Sequence, residues 1–355
     1  MKTKGRVGQV AVMVAILLVG GGIAASKLFD EQPVSVGVIS ASTSPSAQTS
    51  VSPTPMLNPL TLSSMKAGSY RGSGITSERS LGDEGGYSAR VVSFVSDGLT
   101  EYAYWAQPDG SMPAGGWPVI VLVHGYTIPS DYNTVTNAYV SWMAAWAKAG
   151  FVVVQPDLRG NGASGGTAVS GHWSPDYTYD VMNLIASLTA DSVINAGHIG
   201  LVGHSMGGHV ALNVADISSD VKATVLVNRV VGSMYNLFYN WPNSPAPNDQ
   251  PAQVVKAELS GLEAAYGTPK SDPGFWNQAS AINYVSGIKG PVQIDADIGD
   301  TTVPIAFSDE LDAALGAAHK RVTFDTYPGD DHQLSSPSNL ALFLAMTTAF
   351  WKQAL

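Results

Sequence analysis

The run Gly203-His204-Ser205-Met206-Gly207-Gly208 constrains this chain more than any other. An apolar segment, Ile199 to Val202, leads into it, and a small-residue stretch with helical spacing, His209 to Ala215, leads out. Strand, G-x-S-x-G, helix demands a sharp turn that holds the serine in a strained backbone conformation, and glycine, with no Cβ, lets the chain make it. Such a turn lifts the hydroxyl out of the sheet, where a base can reach it. In a chain with 37 glycines the motif alone also fits a glycine-rich turn ending a buried strand, so the rest of the sequence must decide.

The rest supplies a regular alternation. Tyr87–Phe94 and Leu99–Ala106 predict two early strands paired as a hairpin through the turn Ser96-Asp97-Gly98. Pro118–Val123 is a continuous β-branched run of the kind buried on both faces of a parallel sheet. Further strands are predicted at Phe151–Val154, Ile199–Val202, Ala223–Val227, Pro291–Ile294 and Val322–Asp325. Helices are predicted between and after them, at Val140–Lys148, Val181–Leu188, His209–Ala215, Asp309–Leu315 and Leu340–Trp351. This spacing implies an α/β fold: a mostly parallel central sheet with helices on both faces and active groups beyond the carboxyl ends of the strands. From about 229 to 285 the rhythm stops. Tyr235, Phe238, Tyr239, Trp241, Tyr266, Phe275, Trp276 and Tyr284 fall there among prolines, as in a cap-like insertion over the strand ends. The aromatics as a group suit either ordinary packing or an apolar substrate site; no individual substrate-binding residue is identified.

The N-terminal part reads differently. Residues 1–28 suit a targeting segment: Lys2, Lys4 and Arg6 precede an apolar or glycine run from Val10 to Ala25. That run is shorter than the roughly 20 residues of a full membrane span and longer than the about 7–15 residues of a secretory core. A cleaved signal peptide and an uncleaved anchor both fit, and the basic start favours the anchor. Either places the remainder outside the cytoplasm, membrane-tethered or secreted. Residues 29–60 carry no charge after Glu31 and are rich in Ser, Thr, Pro, Ala and Val, the composition of an extended tether. Residues 61–355 suit one large domain. The chain has no cysteine, which excludes disulfides and thiolate metal sites. Its formal charge is −10 although Lys2, Lys4, Arg6 and Lys27 all precede the first acidic residue, so the domain is more anionic still. Such a surface argues against nucleic acid as a partner. The oligomeric state is left open.

A serine hydroxyl is a poor nucleophile until a base takes its proton and a third group orients that base. His332, in the loop Tyr327–Leu334 between the last strand and the closing helix, is the best-placed base. His124, His172, His198, His204, His209 and His319 compete, with His172 and His319 expected in surface or loop positions. Asp300, in Ile298-Gly299-Asp300-Thr301-Thr302-Val303-Pro304, is the best-placed acid; Asp295 and Asp297 on the preceding strand are rivals. The developing oxyanion needs backbone donors. Met206 N–H, next after the serine, and Tyr126 N–H, from the loop His124-Gly125-Tyr126-Thr127, are the candidates. No cofactor is implied. His124, His172 and the Asp330-Asp331-His332 cluster are conceivable metal ligands, but they lack zinc-ligand spacing, and no metal is expected.

Over about residues 87–355 the chain resembles the α/β-hydrolase superfamily, and within it the catalytic domain of prolyl-oligopeptidase-type serine peptidases and dienelactone-hydrolase-like esterases. The resemblance rests on Ser96-Asp97-Gly98, His124-Gly125, Asp157-Leu158-Arg159-Gly160-Asn161-Gly162, the Ser205 turn, Asp300-Thr301-Thr302-Val303-Pro304 and Asp331-His332, in that order. It implies Ser205 as nucleophile, Asp300 as acid and His332 as base, with Tyr126 and Met206 as oxyanion donors. Two positions depart from the pattern. Ala296-Asp297 stand where relatives often carry His-Gly, and His-Gly-Tyr-Thr replaces a His-Gly-Gly loop. The chain has no room for the β-propeller of the peptidases. The expectation is therefore an exported serine hydrolase of small esters or short peptides, with a prolyl-oligopeptidase-like peptidase as the alternative. A non-catalytic surface binding protein on the same scaffold is the alternative of a different class.

Overall fold

The computed structural model describes residues 58–241 and 250–355, with side chains from Lys256 onward in the second stretch. The expected targeting segment and all but the last three residues of the expected tether lie outside the described residues. Of those three, Leu60 is already buried. It leads into a short helix α1 (Leu62–Ala67), whose N-cap Thr61 accepts from Ser64 N–H and whose Leu62 and Met65 are buried.

Three antiparallel strands follow: β1 (Thr76–Asp83), β2 (Tyr87–Ser96) and β3 (Leu99–Pro108). The sequence pattern gave no sign of β1. Seven of its eight residues are exposed, so it buries no face and shows no alternation. It is an edge strand, and Glu78, Arg79 and Asp83 are the charges that keep such an edge from pairing further.

Then come β4 (Trp117–Val123), α2 (Val140–Lys148), β5 (Val152–Pro156), α3 (Asp176–Ala190), β6 (Ile194–His204), α4 (Met206–Ile217) and β7 (Val221–Val227). Between β7 and the next strand lie α5 (Met234–Tyr239), α6 (Gln250–Tyr266), α7 (Pro273–Gln278) and two short 3₁₀ turns. The chain closes with β8 (Val292–Asp297), α8 (Ala306–Ala317), β9 (Val322–Tyr327) and α9 (Pro337–Ala354). The sheet order among the described residues is β1-β2-β3-β5-β4-β6-β7-β8-β9. The pairs from β5 to β9 are all parallel.

Strand alternation divides the core in two. Val119, Val121 and Val123 of β4 point to the side covered by α1, α3, α4 and α8. Ile120 and Leu122 point to the side covered by α2 and α9, where Trp146 packs edge to face with Trp142, Phe343 and Trp351. Strands buried on both faces need no polar side, which is why they read as unbroken apolar runs. At one rim the parallel strands deliver, in turn, His124 after β4, Ser205 after β6, Asn228 after β7, Asp300 after β8 and His332 after β9.

Candidate active site

Ser205 is the N-cap of α4, with φ 55° and ψ −123°. A side chain in that region costs of order 1–3 kcal/mol and persists only where its surroundings hold it. Here they do: Ser205 N–H donates to Val227 O at 3.0 Å, and Ser205 C=O accepts from Gly208 N–H at 2.9 Å and Val230 N–H at 3.1 Å. Two glycines are steric requirements. A Cβ on Gly203 would run into the carbonyl of Gly207, and one on Gly207 into the carbonyls of Val123 and His124. The helix therefore sits directly against the end of β4, and only glycine permits that approach.

The structure brings Ser205, His332 and Asp300 together. His332 Nε2 lies 2.8 Å from Ser205 Oγ, and His332 Nδ1 lies 2.7 Å from Asp300 Oδ2. The serine is 8% exposed, and the side chains of His332 and Asp300 are 14% and 1% exposed. Solvent can thus reach the imidazole and barely the carboxylate. The other oxygen of Asp300 accepts from Thr302 N–H at 2.7 Å and Val303 N–H at 2.9 Å, which fixes the carboxylate in place.

The rival acids are occupied elsewhere. Asp297 accepts from Gly299 N–H at 2.5 Å and Asp330 N–H at 3.0 Å, so it ties the acid loop to the base loop. Asp295 is fully buried against Tyr327 Oη at 2.6 Å and Gln293 Nε2 at 3.1 Å, and burial pushes its carboxyl up to about 7. Asp331 folds its carboxylate back onto Gln333 N–H and Ser335 N–H and shapes the turn that presents His332.

The loop after β4 is held at both ends of one residue. Gly125 N–H donates to Tyr139 Oη at 2.9 Å, and Gly125 C=O accepts from His124 Nδ1 at 2.7 Å. A trans peptide points its N–H opposite to its C=O, so the grip of His124 sets the direction of Tyr126 N–H. Burial pushes the His124 imidazole down to about 4, keeping it neutral. The Cα of Gly125 lies close to the elbow, since a Cβ there would meet Ser205 Cβ at 3.1 Å. Met206 N–H opens α4, where the positive end of the helix dipole favours negative charge.

Two residues of the site carried no sequence signal. Asn228, at φ 38°, donates from Nδ2 to His332 O at 3.0 Å and accepts on Oδ1 from Asp297 N–H at 2.7 Å. Tyr139 precedes α2 and contacts His204 Nδ1 at 2.8 Å. Both act across long sequence separations. The left-handed backbone of Asn228 is itself visible only in the structure.

The region between β7 and β8 is built mainly on its own aromatics. Phe238 and Trp276 pack edge to face with Trp173, and Tyr266 stacks on Phe275. Tyr235 and Tyr239 are exposed, and Trp241 Nε1–H donates to Thr302 O at 2.8 Å, touching the acid loop. His172, expected in a surface or loop position, lies in a turn but is buried against His209 and Trp241, and burial holds its imidazole well below the ordinary histidine range. His319 is exposed. Among the described residues no group of three or more histidines and carboxylates gathers in a metal-binding arrangement.

A strained serine at the end of a parallel strand, an imidazole bridging it to a carboxylate, and a neighbouring backbone loop together define a serine hydrolase. The chain matches the alpha/beta hydrolase family over residues 120–342 and belongs to that family. It is similar to the dipeptidyl aminopeptidase BIII of Pseudoxanthomonas mexicana, 24% identical over 243 residues that cover 67% of this chain and 33% of that protein. Among solved structures it resembles an acetyl xylan esterase from Paenibacillus sp. R4 (TM-score 0.63, 17% identity, 83% of this chain and 92% of that one). It also resembles the acylaminoacyl peptidase of Pyrococcus horikoshii (TM-score 0.61, 20% identity, 77% and 42%). The chain spans about a third of the length of the curated relatives it matches.

Proposed function

We propose that the protein cleaves carboxylic esters or short peptide amides through an acyl-enzyme on Ser205. The observation that carries this reading is His332 within 2.8 Å of Ser205 Oγ and 2.7 Å of Asp300. His332 Nε2 takes the hydroxyl proton as Ser205 Oγ attacks the substrate carbonyl. Asp300 steadies the resulting imidazolium through Nδ1–H, and Tyr126 N–H and Met206 N–H receive the negative oxygen. The imidazolium passes its proton to the departing alcohol or amine. A water then attacks the acyl carbonyl, His332 takes its proton, and the acid leaves with the serine restored.

Ester cleavage is the preferred reading because an alcohol leaves with less protonation than an amine requires, so it asks less of the same triad. A prolyl-oligopeptidase-like peptidase is the second reading, favoured by the peptidases among the relatives. A non-catalytic binding role on this scaffold would require His332 out of reach of Ser205 or Asp300, which the two short separations do not suit. The basic-then-apolar start of the chain supports action outside the cytoplasm, anchored in or released from a membrane. Among the described residues no helix is long and apolar enough to cross a membrane. Membrane and soluble fractions of cells expressing the full chain test this: recovery in the cytosol would overturn it. A panel of p-nitrophenyl esters of rising chain length beside aminoacyl and prolyl p-nitroanilides tests the substrate class. Turnover confined to the anilides would overturn the ester preference.

A further inference from the structure

We infer that His204, adjacent to the nucleophile, is a positioning residue whose neutral imidazole couples the oxyanion loop to the base loop through a hydrogen-bond chain of fixed direction. The inference rests on the acyl-transfer reading of Ser205 and concerns a residue outside the triad.

The directions follow from valence. His204 Nε2 lies 2.8 Å from the main-chain carbonyl of His332, which can only accept, so Nε2 carries the proton. In a neutral ring Nδ1 is then an acceptor, and the group facing it at 2.8 Å is the hydroxyl of Tyr139, which must donate. Having given its proton to His204, Tyr139 Oη accepts the N–H of Gly125 at 2.9 Å. Every donor has one acceptor, and the chain runs one way: Gly125 N–H to Tyr139 O–H to His204, and His204 Nε2–H to His332 C=O. Its members are 1% exposed at His204 and 7% at Tyr139, so water does not compete. Burial pushes the His204 imidazole down to about 3, with the nearby His332 ring adding to the effect, which keeps Nδ1 an acceptor.

The consequence is mechanical. The carbonyl of His332 receives His204 Nε2–H from one element and Asn228 Nδ2–H from another. Its backbone is fixed at the residue whose side chain must bridge Ser205 and Asp300. At the other end, Tyr139 holds Gly125 N–H, in the same loop as the candidate oxyanion donor Tyr126. A protonated His204 would point Nδ1–H at Tyr139 Oη, and the tyrosine proton would lose its acceptor.

The test uses the full chain labelled with 15N-histidine, with the His204 signals assigned by their absence in His204→Gln. The expected result is a neutral Nε2–H tautomer for His204 that does not change between pH 5 and 9. An Nδ1–H tautomer, or titration of His204 within that range, overturns the inference. This readout does not depend on whether Ser205 is the nucleophile, so the two readings fail separately. Turnover of p-nitrophenyl acetate supplies the second arm. Tyr139→Phe should lower kcat roughly tenfold with KM within about twofold. His204→Gln, which keeps a donor toward His332, should retain more kcat than His204→Leu at matched melting temperature. Equal loss in Gln and Leu variants, or losses that track melting temperature alone, would mean a role in folding only.

Discussion

At the scale of single residues, the site separates carboxylates that a sequence cannot separate. Asp295, Asp297 and Asp300 lie within six positions, yet only Asp300 has one oxygen on His332 and the other on backbone N–H groups. Asp297 instead joins two loops through Gly299 N–H and Asp330 N–H. Asp300→Asn should therefore lower kcat by about 10³–10⁴, because the amide no longer accepts the Nδ1 proton as a carboxylate does. Asp297→Asn should act first on stability, by about 0.5–1.5 kcal/mol, since one of two part-buried N–H donors loses its acceptor. Steady-state kinetics beside denaturant titration of both variants separates the roles; a larger kcat loss in Asp297→Asn would reverse them. Ser205, Asp300 and His332 were legible because each follows a strand in a fold whose strand ends share one rim. Asn228 and Tyr139 were not, because their importance lies in partners about a hundred and 65 positions away.

At the scale of elements, the turn into α4 is set by sterics. Gly207→Ala would drive a methyl group into two carbonyl groups at the end of β4. It should cost about 3 kcal/mol or more, or prevent folding, since neither backbone group can yield cheaply. Gly261 offers the contrast: it lies within α6 with open space where a Cβ would go. Gly261→Ala should stabilise by roughly 0.5–1 kcal/mol through helix propensity alone. Urea titration measures both, and similar effects at the two sites would contradict this account of the elbow. Element type was legible wherever a strand is buried on both faces, and ends were less so. β6 begins at Ile194, before the apolar run, because buried Ile194 pairs with Trp117 of β4; residues 195–198 are passed over by a register shift before the regular pairing resumes at Ile199. β1 was invisible because only Leu81 is even partly buried, too little to leave a pattern.

At the scale of the molecule, stability without disulfides is coupled to pH through buried groups. Burial pushes His124 and His209 down to about 4, His204 to about 3 and His172 well below its ordinary range. Neutral in the fold and protonated when unfolded below about 6.5, they lend stability above that pH, and it is lost as pH falls. Glu101 works in the opposite sense. Burial, reinforced by Asp180, raises its carboxyl from 4.5 to about 10, so the fold keeps a proton that the unfolded chain releases. The stability tied to it declines as pH rises across that window. From pH 7 to 9 the histidines contribute nothing further and Glu101 still loses ground. The melting temperature should fall over that interval, and Glu101→Gln, which can still donate to Asp180, should flatten the fall. Parallel curves for the two proteins would exclude Glu101 as the cause.

Ser205 as a nucleophile activated by His332 is open to one decisive experiment, covalent labelling with a fluorophosphonate. Intact-mass and peptide analysis should find one adduct per folded chain, on Ser205, and none in Ser205→Ala, whose ester turnover should fall by 10³-fold or more. Folded wild-type protein that takes no label, or Ser205→Ala that keeps its turnover, would contradict it.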